Sequence, residues 1–206
     1  MNAKLYIVGI GPGDPDMITL KAVKLLERID HVFVPISAPG RQSVALKITR
    51  AHIPESTPVT ELVFPMIKDP AELLDHYREN YAHISTVLST GASAALLTLG
   101  DPATYSTAWP IFDLARQDLP QDRIEIISGV TSFSYCAARA ATKLAERNEI
   151  FTVVSAYDSP ERIEAAIDTS DTVVFLKTYK KRNDLIDLLK KKNVADRCVY
   201  LKRCGL

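Results

Sequence analysis

Cysteine is scarce in this chain: three residues in 206, Cys136, Cys198 and Cys204, with no CxxC pair among them. An odd set without metal spacing argues against a disulfide framework and for reduced thiols, and so for a cytoplasmic protein. The four histidines (His31, His52, His76, His83) form neither an HExxH motif nor a Cys/His cluster, so no protein-bound metal is expected. Neither sign of charge dominates. Lys plus Arg and Asp plus Glu number 25 each, which leaves no global field to attract nucleic acid or a membrane surface. No apolar run approaches the roughly 20 residues of a membrane helix. The N-terminal MNAKLYIVGIGPGDP has a single Lys and a short apolar run that ends in Gly-Pro-Gly-Asp instead of a small-residue cleavage site. It reads as a first buried strand and not as a signal peptide. No Gly-Lys-Ser/Thr occurs, which removes a Walker A loop. What remains is ordinary for a soluble globular chain, 47% hydrophobic and 24% charged, and long enough for one large α/β domain or two small ones.

Short apolar runs alternate with amphipathic stretches. Residues 5–10 form a continuous apolar run, typical of a strand covered on both faces. Helix signals follow over residues 17–28, with Asp16 as N-cap. A second strand is expected over 31–34, stopping at Pro35, and 36–42 (ISAPGRQ) has the chemistry of a mobile surface loop. The clearest helix covers 71–88, where Leu73, Leu74, Tyr77, Tyr81, Ile84, Val87 and Leu88 recur at spacings of three and four. A buried strand at 94–99, a helix at 106–118, a strand at 124–127 and a small-residue helix from there to about 142 come next. Strands at 151–155, 172–177 and 198–201 then alternate with helices at 160–167 and 182–191. This order predicts an α/β fold.

Three motifs stand at strand ends. In Gly9-Ile10-Gly11-Pro12-Gly13-Asp14-Pro15, three glycines invite a dinucleotide-binding reading, but Asp14 occupies the place of the third small residue of that fingerprint and would repel a pyrophosphate. A tight turn is the plain alternative. Either way, the segment offers a rigid, bare backbone that suits close approach of a flat ligand. In Leu97-Thr98-Leu99-Gly100-Asp101-Pro102-Ala103-Thr104-Tyr105-Ser106, a buried strand delivers a Gly and a carboxylate to the carboxyl edge of the sheet, where open α/β sheets bind ligands. Asp101 could equally cap a local turn. In Gly129-Val130-Thr131-Ser132-Phe133, hydroxyls at a helix start can cap it, bind a ligand, or both.

Taken in this order and at this spacing, the three motifs resemble those of the tetrapyrrole (corrin/porphyrin) methylase family, and the resemblance covers essentially the whole chain. The flanks, including Leu62-Val63-Phe64-Pro65-Met66, are most similar to the branch that methylates carbon 20 of precorrin-2 or cobalt-factor II in cobalamin biosynthesis. The resemblance implies two α/β domains, 1–128 with the tetrapyrrole trough and 129–206 on the side of S-adenosylmethionine (SAM), with the ligand cleft between them. A boundary near 119–135 follows from the resemblance alone. It also implies a homodimer, and SAM as the methyl donor with S-adenosylhomocysteine as product. The implied SAM contacts are Pro12, Leu99, Gly100, Asp101, Thr104, Thr131, Ser132, Ala156 and Leu176. The implied trough residues are Gly11, Pro12, Gly13, Asp14 and Tyr105. Relatives continue through further strands beyond Arg203-Cys204-Gly205-Leu206, so a shortened second sheet is expected.

Methyl transfer from a sulfonium needs alignment more than a catalytic set, which fits a sequence without a Ser/His/Asp or Cys/His constellation. Asp101, Tyr105 and Asp14 are candidates for a base by location. Other acceptors on the same scaffold are a different ring position, a protein-borne precursor or RNA. A non-catalytic module that holds SAM or a tetrapyrrole is the alternative from a different class. The basic runs Lys180-Lys181-Arg182 and Lys190-Lys191-Lys192 read as solvated helix ends.

Overall fold

A computed structural model describes residues 3–67 and 69–205. The chain divides into two compact units, Met1–Ser132 with Cys204–Leu206, and Phe133–Arg203.

The first unit is built on five strands: β1 (Leu5–Gly9), β2 (His31–Ile36), β3 (Val59–Val63), β4 (Ala94–Thr98) and β5 (Ile124–Ile127). They form one parallel sheet in the order β3-β2-β4-β1-β5. In the register, Leu5 stands opposite both Ala94 and Ile124, and Gly9 stands opposite Thr98. Both faces are covered, which is why the central strands are predominantly apolar. Leu5, Ile7, Phe33, Ala94 and Leu96 face one way, against Tyr81, Ile84 and Leu88 of α3 (Pro70–Ser89) and Ile111 and Ala115 of α4 (Trp109–Asp118). Val8, Val32, Val34, Ala95 and Leu97 face the other way, against Ala22, Leu25 and Leu26 of α1 (Leu20–Leu26) and Ala45 and Ile48 of α2 (Val44–Thr49).

The connections reverse direction in the middle of the sheet. From β1 the chain passes over β4 to reach β2, whereas from β4 it passes over β1 to reach β5. The carboxyl ends of β1 and β4 therefore flank a topological switch point, the place where open α/β sheets bind ligands.

The second unit holds β6 (Phe151–Ser155) and β7 (Thr172–Leu176), a parallel pair with Val154 opposite Phe175. Val154, Ala156, Val173 and Phe175 pack with Ile163 of α6 (Pro160–Thr169) and Leu185 of α7 (Arg182–Lys191). The remaining helix, α5 (Ser132–Arg139), begins at the division between the units.

Several local expectations are corrected. Asp16 does not cap α1. Asp14 caps a single 3-10 turn at Pro15–Met17, the chain then extends through Ile18, and Thr19 caps the helix by accepting from the Ala22 amide at 3.3 Å. β2 runs through Pro35. Its pairing with β4 ends at Phe33, so the proline's missing N–H faces no ladder on that side. For the same reason Ile36 belongs to β2, and the turn that follows starts one residue later. The helix expected from Ser106 begins at Trp109, because Ser106 spends its hydroxyl on the preceding turn. α5 stops at Arg139, three residues early, with Ala141 in the left-handed region at φ 50°. Residues 198–201 form no strand. All four are exposed, and a strand without a ladder leaves its amides to water. Both α2 and β3 went unread in the sequence.

The helix read most clearly also has the strongest cap. Asp69 accepts from the amides of Ala71 (2.8 Å) and Glu72 (3.1 Å), and Pro70 occupies the first helical position. Asp69→Ala is expected to cost about 1 kcal/mol, the usual value of a side-chain N-cap. Thermal unfolding followed by circular dichroism should show Tm falling by about 2–4 °C.

Candidate functional site at the carboxyl edge of the first sheet

Strands β4, β1 and β5 are neighbours, and each ends in one of the three motifs. The loops they feed are joined backbone to backbone. The Ile10 amide donates to the Thr98 carbonyl at 3.0 Å. Gly11 and Gly100 then exchange both bonds of an antiparallel bridge, Gly11 N to Gly100 O at 3.2 Å and Gly100 N to Gly11 O at 2.7 Å. The crevice expected between two diverging loops is thus closed at its base. A ligand at this edge meets a backbone floor.

That floor has no room for side chains. A Cβ on Gly9 would stand 2.6 Å from the Gly129 nitrogen, 2.7 Å from Pro102 Cδ and 2.8 Å from the Gly100 oxygen. A Cβ on Gly129 would overlap the Gly100 oxygen and lie 2.8 Å from the Gly9 carbonyl carbon. Gly100 differs from both. It sits at φ +70° with nothing within 4 Å of a would-be Cβ, so conformation, not space, demands glycine there.

Side chains lock the same loops. Asp101 accepts from the Ala103 amide through Oδ1 at 2.8 Å, an Asx turn, and from the Gly129 amide through Oδ2 at 2.9 Å. The buried Thr98 hydroxyl shares a 2.9 Å hydrogen bond with Ser106, whose Oγ also accepts from the Ala108 amide. Thr19 Oγ1 donates to the Ser128 carbonyl at 3.5 Å, tying the start of α1 to the loop after β5. Asp14 Oδ1 accepts from the Asp16 amide at 3.1 Å. Gly205 lies beside the backbone of Pro12 and Asp14, and a Cβ on it would stand 2.9 Å from the Pro12 oxygen.

The structure therefore gathers Gly11, Pro12, Gly13, Asp14, Leu99, Gly100, Asp101, Thr104, Tyr105, Thr131 and Ser132 on three loops at one edge of the first unit's sheet. Pro12 is buried. Leu99 (43%) and Tyr105 (45%) remain exposed, and Tyr105 holds a left-handed φ of 50°. Ala156 and Leu176 are brought together separately, at the ends of β6 and β7 in the second unit, where the Ala156 amide donates to the Leu176 carbonyl at 2.9 Å. Sequence reasoning missed Thr98, Ser106 and Thr19 as loop locks. Their signal was a polar residue closing an otherwise apolar strand, with a hydroxyl eight residues on. Among the described residues, no three His, Cys, Asp or Glu side chains stand close enough to hold a metal ion. None of the helices among the described residues is long and apolar enough to cross a membrane.

The two kinds of glycine separate under substitution. Gly129→Ala forces a methyl into backbone that cannot yield, and is expected to cost about 3 kcal/mol, the upper end for overpacking. Gly100→Ala should cost about 1–2 kcal/mol, the strain of a left-handed residue with space to spare. Urea unfolding of the two variants, compared at equal m-value, checks the order.

Residues 4–206 match the family of Tetrapyrrole (Corrin/Porphyrin) Methylases. A cobalt-precorrin-2 C(20)-methyltransferase of Salmonella typhimurium is 37% identical over 179 residues, 87% of this chain and 74% of that protein. A probable cobalt-precorrin-2 C(20)-methyltransferase of Methanocaldococcus jannaschii is 34% identical over 190 residues, 92% of this chain and 78% of its own. Among solved structures, a uroporphyrin-III C-methyl transferase from Thermus thermophilus, complexed with S-adenyl homocysteine, matches 92% of this chain and 76% of its own with a TM-score of 0.64 at 22% identity, a likeness of fold. Family match, relatives and the ordered strand-end loops agree, and the chain belongs to the tetrapyrrole (corrin/porphyrin) methylase family.

Proposed function

We propose that this protein is a SAM-dependent methyltransferase that methylates carbon 20 of precorrin-2 or of its cobalt-bearing counterpart in cobalamin biosynthesis. The observation that carries the reading is the floor of fused loops at the switch point, in a chain 34% to 37% identical to relatives named for that reaction. The residues present fit the cofactor. Gly100 opens an unfilled space beside an exposed Leu99, and the backbone there is bare, as close approach of a nucleoside requires. Pro12, Leu99, Gly100, Asp101, Thr104, Thr131 and Ser132 are the contacts in the first unit. Ala156 and Leu176, side by side in the second, complete the set that the family resemblance supports. The reading extends to a homodimer in the cytoplasm, the scarcity of cysteine and the lack of paired spacing being in keeping with a reducing compartment.

When bound, SAM supplies a methyl group already activated by its sulfonium. What the protein must add is position. Gly11, Pro12 and Gly13 are a stiff, buried stretch of backbone behind the proposed trough, and Tyr105 offers an exposed ring at its rim. Holding the two reactants in line is worth effective molarities of about 10⁵ M or more, enough to make a dedicated nucleophile unnecessary. The carboxylates of Asp14 and Asp101 at this edge already accept backbone amides, so neither is assigned as a base.

The test is a single turnover with methyl-labelled SAM and either the metal-free or the cobalt-loaded dihydro-tetrapyrrole. The product is read by mass and by the position of the new methyl. Label on carbon 20 is the expected result, and the preferred form assigns the metal state of the substrate. Label at another ring position, or none while SAM is bound, overturns the assignment of carbon 20.

A further inference from the structure

We infer that Asp101 is a positioning residue. Its carboxylate braces the loop after β5 against the loop after β4, and it serves the cofactor through that brace and not as a base. The inference rests on the reading that these loops hold SAM.

The Gly129 nitrogen lies 2.6 Å from where a Cβ on Gly9 would stand, and a Cβ on Gly129 itself would run into the Gly100 oxygen and the Gly9 backbone. An amide packed this tightly needs a protein acceptor, because little space is left for water. Asp101 Oδ2 is that acceptor, reaching across 28 residues of sequence. The other oxygen holds the Ala103 amide and so shapes the turn Asp101–Thr104, which the Thr104 amide closes onto the Asp101 carbonyl at 3.2 Å. One side chain thus sets two loops that carry proposed SAM contacts: Gly100 and Thr104 on one, Thr131 and Ser132 on the other. A carboxylate is suited to this because it offers one oxygen to each amide and makes the stronger, charge-assisted bonds. An amide side chain has a single acceptor oxygen and an NH2 that would face one of the two N–H groups.

Asp101→Asn separates a brace from a base. A brace predicts that the dissociation constant for S-adenosylhomocysteine, measured by titration calorimetry, rises about tenfold to a hundredfold, the scale of one lost charge-assisted bond. It also predicts that kcat at saturating SAM falls less than about tenfold. Asp101→Ser, which keeps a turn acceptor but is too short to reach Gly129, should show the same split. Amide hydrogen exchange supplies a readout that needs no variant: in the wild-type protein the Gly129 amide should be protected, and in Asp101→Asn it should exchange faster. An unprotected Gly129 amide in the wild type overturns the inference even if both variants fail to fold. Unchanged affinity in Asp101→Asn also overturns it, and unchanged affinity with kcat lowered more than about 10³-fold would make Asp101 a base after all. Wild-type protein that binds no S-adenosylhomocysteine removes the cofactor reading and the functional half of the inference with it. Because Gly129 protection is measured separately, that failure is distinguishable from the failure of the brace.

Discussion

The proposed site depends on the tight packing of main chain around Gly9 and Gly129, against the Gly100 carbonyl. Each glycine follows or ends one of three adjacent strands, and the space a Cβ would fill at Gly9 or Gly129 is taken by main chain. Because the strands are parallel, all three ends emerge at one edge of the sheet. Because no side chains intervene there, the loops can hydrogen-bond to each other directly, as Gly11 and Gly100 do. A surface made this way is flat, rigid and lined with main chain. Those are properties for orienting large planar molecules, not for polarising a bond with a particular side chain.

Rigidity at the edge is matched by the layers beneath it. The alternation of Leu5 and Ile7 with Val8 and Ile10 sends β1 into both cores at once, so the strand that carries the first loop is clamped from both faces. The second unit is held more lightly. Its sheet has two strands, and four hydrophobic residues there are buried. Lys192 ties α6 through Asp168 at 2.7 Å and Glu164 at 3.3 Å, but those partners are substantially exposed and such pairs contribute little. Local opening should therefore be easier in the second unit than in the first.

The elements that were legible in the sequence share one trait: their signal is local. The apolar runs of β1 and β4, the β-branched run of β6 and the three-and-four spacing of α3 need no knowledge of the rest of the chain. The elements that were missed depend on neighbours. β3 is an edge strand that mixes the buried Leu62 with the exposed Glu61, and α2 is only six residues long, too short for a period to show. Pro35 is a strand residue only because β4 stops pairing two residues earlier. The converse holds at Cys198-Val199-Tyr200-Leu201, where a strand-like composition has no ladder to join. At the proposed site the motifs were visible as a set, and so was the possibility that Asp101 closes a local turn. Its second bond, to an amide 28 residues away, was not, because nothing local announces which backbone group a carboxylate will meet.

The strand order also bears on how the protein is made. β1 leaves the ribosome before the other described strands, yet its two partners are β4 and β5, and the second of these ends at Ile127. At ordinary synthesis rates of about 5–20 residues per second, roughly 6 to 24 s separate Val8 from the residue it finally faces, Ile127. Until β4 emerges this short apolar segment has both edges open, and one edge stays open until β5 follows. The glycine-bound edge that makes the finished enzyme stiff is thus assembled late, only once β5 has been made.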